Sequence, residues 1–162
     1  MQGITAVSFF EEAYKVKKGD TVLVHAVAGG LGLLFAQLGR RIGATVIGTT
    51  STQEKANIAK ANGADHVILY PVEDTVKKVL ELTNNQGVDA VFDGVGKDTC
   101  VFFPSFIHLR LYKIFDFIRF DDNFKLIKRK GTIVSVGNAS GAVEPFSLLR
   151  LKDKNINLLR PM

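Results

Sequence analysis

Apolar residues in this chain fall into short runs that alternate with stretches of helical spacing. The first run, Val22, Leu23 and Val24, has no polar interruption, the pattern of a strand covered on both faces of a parallel sheet. Such a strand needs a crossover before the next one can lie beside it. Residues 31–42 supply it, with Leu34, Leu38 and Ile42 recurring on one helical face and Leu31 and Phe35 beside them. Residues 44–49 then predict a second strand, Ser51 or Thr52 a helix cap, and the residues through Ala61 a second crossover. The pattern continues with a third strand over 66–69, a helix over 75–82 carried by Val76, Val79 and Leu80, and a fourth strand over 90–92. Residues 121–130 predict a helix, 132–136 a fifth strand and 156–159 a sixth. Ahead of the first strand, residues 3–16 predict a helix with Ile4, Val7 and Phe10 on one side and Glu11, Glu12 and Lys15 on the other. This alternation predicts an α/β fold, a Rossmann-type doubly wound parallel sheet of six strands with its ligand crevice beside the first and fourth.

Between the first strand and its helix stand Gly29, Gly30 and Gly32. Against the G-x-G-x-x-G fingerprint they supply the second and third glycines, and Val27 occupies the place of the first. Glycines there let a pyrophosphate reach the backbone amides at a helix N-terminus, where the helix dipole also favours negative charge. The plainer reading is that they only let the helix pack close to the strand. At the end of the second strand, Thr49, Thr50 and Ser51 stand where an NAD-binding chain carries Asp or Glu for the ribose hydroxyls, and Lys55 follows a turn later. A hydroxyl and an ammonium both suit a 2′-phosphate, so the pattern favours NADPH over NADH. A capping Ser51 and a solvated Lys55 form the alternative. Asp93, after the fourth strand, reads as a turn cap rather than a catalytic acid.

Composition narrows the picture. A 162-residue chain with 46% apolar content fits one domain, able to bury roughly 70% of its unfolded surface. The single cysteine, Cys100, excludes an internal disulfide framework. His25, His66 and His108 form no ligand spacing with it, so no metal site is expected. The N-terminus lacks the pattern of a signal peptide and no apolar run suits a membrane span, so a cytoplasmic chain is expected. The net charge of +5 admits RNA, a polyanionic cofactor or an ordinary solvated surface.

Six segments span nearly the whole chain: QGITA (2–6), VKKGDTVLVHAVAGGLG (16–32), VIGTTSTQEK (46–55), GVDAVFDGVGKDT (87–99), KRKGTIVSVGNASG (128–141) and LLRP (158–161). In this combination the chain resembles the zinc-independent, zeta-crystallin-like quinone oxidoreductases of the medium-chain dehydrogenase/reductase family. The resemblance implies that Gly29, Gly30, Leu31 and Gly32 hold a pyrophosphate and that Ser51, Lys55 and Tyr70 hold the 2′-phosphate region of NADPH. It places Thr5 near the nicotinamide, and Val95, Gly137 and Asn138 along the nicotinamide ribose. The implied reaction is hydride transfer from NADPH to a quinone or a related enone. No catalytic residue is nominated, because the family's quinone-binding residues belong to an N-terminal substrate domain expected to be absent here, leaving residues 1–162 as the NADPH-binding domain.

The resemblance further implies a homodimer formed through the sixth strands. Zeta-crystallin-like proteins also bind AU-rich RNA, which keeps RNA binding beside a stand-alone NADPH-binding module as a rival function. One block departs from the pattern: residues 100–119, with five phenylalanines, separate Thr99 from Phe120, which the family pattern would nearly join. It reads as an inserted apolar flap or partner-binding helix, or as a gene-model artefact such as a retained intron, the second reading being preferred.

Overall fold

The computed structural model describes residues 2–96, 120–143 and 145–161. The departing block at 100–119, with Cys100 and His108, lies outside the described residues.

The chain opens with helix α1 (Gln2–Ser8), which continues as a π-helical turn, Phe9–Ala13. Strand β1 (Thr21–Val24), helix α2 (Gly30–Ile42), strand β2 (Thr45–Thr50), helix α3 (Gln53–Ala61) and strand β3 (His66–Leu69) follow. Helix α4 (Thr75–Leu82) leads to strand β4 (Val88–Asp93). After them come helix α5 (Asp122–Leu126), strand β5 (Ile127–Ser135), a 3₁₀ turn (Leu148–Leu151) and strand β6 (Asn157–Leu159). All neighbouring strands are parallel, in the order β3-β2-β1-β4-β5-β6. This is the expected six-stranded, doubly wound Rossmann sheet. Its order reverses between β1 and β4, which opens a crevice at their carboxyl ends.

The period-two alternation of the strands builds two cores. Val22 and Val24 of β1 face one layer with Phe10, Phe35 and Phe92, and Leu23 faces the other with Ile47, Val91 and Ile133. In the first layer three rings meet: Phe10 stacks on Phe35 at 5.0 Å, and Phe92 lies 4.8 and 4.9 Å from the two. Each such side chain contributes about 1.5–3 kcal/mol when fully buried.

Three expected features are corrected. In the first helix Ile4 and Val7 are exposed, while Ala6, Phe9 and Phe10 are buried. The inward residues Ala6, Phe9, Phe10 and half-buried Ala13 keep the i, i+3, i+4, i+7 spacing of one helical face, and both phenylalanines on it pack against Phe35. In α2 the fully buried stripe is Gly32, Phe35, Ala36 and Gly39, and Leu31, Leu34, Leu38 and Ile42 flank it half-buried. Small residues bring the helix onto the sheet, and a Cβ on Gly39 would meet Val46 at 2.5 Å. The helix expected over 121–130 is a five-residue turn, and the chain is already in β5 at Ile127.

The charged run Lys128, Arg129, Lys130 belongs to this strand for a reason seen only in three dimensions. Lys128 Nζ reaches Asp89 of β4 at 2.8 Å, and Lys130 turns through a left-handed conformation (φ 63°) as the register slips between Val88 and Ala90. Lys154 Nζ closes the same corner, donating to the carbonyls of Lys125 and Ile127 at 2.8 Å, and its burial lowers its pKa.

Candidate functional site

The glycine turn is built on backbone contacts that side chains would break. Past β1, His25 N donates to Phe92 O and Val27 N to Thr49 O, so the turn is tied to both neighbouring strands. Ala26 takes a left-handed conformation (φ 53°), and Gly29 N donates back to its carbonyl at 2.9 Å. A Cβ on Gly32 would lie 2.6–2.7 Å from the backbone of Ala26 and Val27, so glycine is required for the helix to start this close to the turn. Gly29 and Gly30 are exposed, and a Cβ on Gly30 would meet only the side chain of Gln2. The amides of Gly30, Leu31 and Gly32 open a 13-residue helix and lack intrahelical acceptors, so they form a cradle for an anion.

At the end of β2, Thr52 rather than Ser51 caps α3, accepting from Lys55 N at 3.3 Å. Ser51 is thereby left beside the Lys55 ammonium, at 3.5 Å. Tyr70 follows β3, and its amide donates to Thr50 O at 3.2 Å, which brings it to the same edge. Ser51 and Lys55 thus share one corner of the sheet's carboxyl end, with Tyr70 just past the end of the adjoining strand.

On the other side of the switch point, two loops are laced together. Gly137 N donates to Asp93 O, Ala139 N to Gly94 O and Ser140 N to Val95 O. Val95, Gly137 and Asn138 are so brought into one group. Asn138 Oδ1 accepts from Arg160 Nη1 at 2.9 Å, and the same nitrogen donates to Ser135 Oγ at 3.0 Å. Asp93 is a turn cap: its Oδ1 accepts from Val95 N at 2.9 Å and Gly96 N at 3.1 Å. Thr5 is half-buried on α1, one turn after the Gln2 that overlies Gly30.

Residue spacing does not anticipate the buried chain between these two halves. His25 Nδ1 lies 3.1 Å from Thr49 Oγ1, and His25 Nε2 lies 2.8 Å from Asn123 Oδ1. Asn123 Nδ2 in turn donates to Asp93 Oδ2 at 2.8 Å. His25 and Asn123 are 98 positions apart, so no local pattern joins them. The only signal was a polar His25 at the end of an apolar strand.

Comparison with known proteins agrees with this architecture. Residues 30–102 match the family model described as zinc-binding dehydrogenase. The chain is 41% identical over 161 residues to a probable quinone oxidoreductase of Schizosaccharomyces pombe, covering 99% of this chain and 42% of that protein. The crystal structure of Escherichia coli quinone oxidoreductase complexed with NADPH matches with a TM-score of 0.83 at 33% identity, over 99% of this chain and 44% of that one. The chain belongs to the medium-chain dehydrogenase/reductase family. A 2-haloacrylate reductase from Burkholderia, 38% identical over 149 residues, covers 92% of this chain and 39% of that relative. The chain spans less than half the length of each of these relatives.

As a medium-chain dehydrogenase/reductase sequence, it departs from the glycine fingerprint at Val27, and the structure accommodates the departure by burying that side chain against Gly48 of β2. Among the described residues of this family member, no three His, Cys, Asp or Glu side chains converge as a metal-binding group. No described helix is long and apolar enough to cross a membrane.

Proposed function

We propose that this chain is the cofactor-binding part of a zinc-independent, cytoplasmic NADPH-dependent reductase of quinones or related enones. The observation that carries the proposal is the pairing of an open glycine cradle on α2 with the Ser51–Lys55 corner one strand away. The cradle fits a pyrophosphate, because Gly29, Gly30 and Gly32 put no side chain of their own over the amides that open α2, and the one neighbour over Gly30 is the flexible end of Gln2. The corner fits a 2′-phosphate, because it offers a hydroxyl and an ammonium side by side, the Lys55 ammonium 3.5 Å from Ser51 Oγ. Relatives over nearly the whole chain are quinone oxidoreductases, and one of them was crystallised with NADPH.

In this reading Gly29, Gly30, Leu31 and Gly32 bind the pyrophosphate, and Ser51, Lys55 and Tyr70 bind the 2′-phosphate region. Val95, Gly137 and Asn138 line the nicotinamide ribose, and Thr5 lies near the nicotinamide. When bound, NADPH supplies the hydride. These residues hold the cofactor, orient it and exclude water from one of its faces, while the rest of a longer protein supplies the quinone pocket. A homodimer through β6 fits its position at the sheet edge, where Leu159 is 40% exposed. RNA binding gains no stacking surface from Phe9, Phe10, Phe35 and Phe92, which are buried.

Titration of the full chain with NADPH and NADH tests the reading. NADPH is expected to bind about tenfold or more tightly than NADH, the worth of one charge-assisted contact. Equal affinity for the two would overturn the 2′-phosphate assignment, and binding of neither would overturn the function.

A further inference from the structure

We propose that Asp93, Asn123 and His25 form a directional hydrogen-bond relay that positions the turn at residues 94–96 for the nicotinamide half of the cofactor. The proposal rests on the NADPH reading above. His25, Thr49, Asn123 and Asp93 are 4%, 0%, 0% and 3% exposed, so each polar atom must find its partner within the protein.

The direction of the relay follows from what each group can do. A carboxylate only accepts, and Asp93 Oδ1 already takes the amides of Val95 and Gly96. Asn123 must therefore turn its Nδ2 toward Asp93 Oδ2, which leaves its Oδ1 facing His25. That oxygen also only accepts, so His25 carries its hydrogen on Nε2. In the neutral ring Nδ1 is then the acceptor, and Thr49 donates its hydroxyl to it. One carboxylate at the end of β4 thus dictates the tautomer of a ring just past β1.

The far end of the relay is the turn that presents Val95. Gly96 has φ 90°, and a Cβ there would meet Gly141 O at 2.6 Å, so the turn is wedged between Asp93 and the loop at 137–141. Its position depends on where Asp93 is held, and Asn123 and His25 hold it. At its other end the relay reaches Thr49, whose carbonyl accepts from Val27 N of the glycine turn, but that turn keeps its own backbone bonds to Phe92, Thr49 and Ala26 whichever way the side chains of the relay point. Breaking the Asp93–Asn123 bond therefore falls first on the turn at 94–96, and the members of the relay are positioning residues.

Asp93→Asn separates this from simple support. The new side chain keeps its oxygen on the two amides and points an amide nitrogen at Asn123, donor against donor. Asn123 must turn over, His25 Nε2 must accept, and the ring hydrogen must move to Nδ1. The test combines ¹⁵N NMR of the His25 ring in the full chain with the affinities of NADPH and of 2′,5′-ADP, which lacks the nicotinamide half. The wild-type ring is expected as the Nε2–H tautomer and the Asp93→Asn ring as Nδ1–H. The variant is expected to bind NADPH about tenfold more weakly, and 2′,5′-ADP within about twofold of wild type. Asn123→Ala should show the same split between the two ligands. An Nδ1–H ring in the wild type, an unchanged tautomer in Asp93→Asn, or equal losses for both ligands would each overturn the proposal. Failure of the wild type to bind either ligand would instead overturn the cofactor reading and the positioning role with it, while the tautomer measurement alone would still decide the relay.

Discussion

Val27, in the turn past β1, and Gly48 of β2 are fitted to each other: a Cβ on Gly48 would overlap Cγ1 of Val27. The fingerprint's first glycine is replaced here by a buried valine, and the neighbouring strand provides the missing space. Gly48→Ala is expected to destabilise the fold by about 1–3 kcal/mol, as overpacking does. Adding Val27→Ala should recover part of that loss, giving a coupling of about 0.5–3 kcal/mol in a double-mutant cycle read by urea unfolding. Strictly additive effects would show that the two residues do not share the space.

Gly32 and Gly30 belong to one motif but are required for different reasons. Gly32→Ala drives a Cβ into the backbone of Ala26 and Val27, so it should cost about 1–3 kcal/mol of stability. Gly30→Ala meets only the movable end of Gln2 and should stay within about 0.5 kcal/mol of wild type. Chemical denaturation of the two variants side by side checks this, and equal losses would contradict it.

The contrast between these glycines marks how far the sequence could be read. The short apolar runs named all six strands, and the gap between Val24 and Leu31 marked the turn, because strand burial and helix-start chemistry are local. The boundary at Ile127 was not local. Lys128 to Lys130 look like an exposed helix face until Asp89 supplies a cross-strand partner. In the first helix both Ile4, Val7 and Phe10 and the buried stripe Ala6, Phe9, Phe10 and Ala13 have helical spacing, so the period alone did not choose the inward face. In the site, Ser51 and Lys55 were visible as a spacing, but the choice of Thr52 as cap, which leaves Ser51 available, appears only in the backbone geometry. The relay through His25 and Asn123 depends on a tertiary meeting of the turn past β1 with α5.

Tyr14 makes the fold sensitive to alkali. Its hydroxyl donates to Asp20 Oδ2 at 3.1 Å, and burial first, then the charge and hydrogen bond of Asp20, raise its pKa. The unfolded tyrosine ionises near pH 10 while the folded one keeps its proton. The stabilisation is therefore complete below about pH 10 and is lost as pH rises further. Lys154, with a lowered pKa, acts in the opposite sense and is common to wild type and variant. Melting temperatures between about pH 9 and 11 should fall more steeply for wild type than for Tyr14→Phe. Parallel curves would contradict the assignment.

The proposed reading of a 2′-phosphate by Ser51 and Lys55 stands or falls on the ratio of NADPH to NADH affinity in wild type and in Lys55→Ala. Lys55 is exposed and contributes to α3 only through its backbone, so the variant should melt with the wild type. NADPH affinity is expected to fall by about tenfold or more while NADH affinity is unchanged, so the preference collapses. Equal losses for the two cofactors, or an undiminished preference, would contradict that reading.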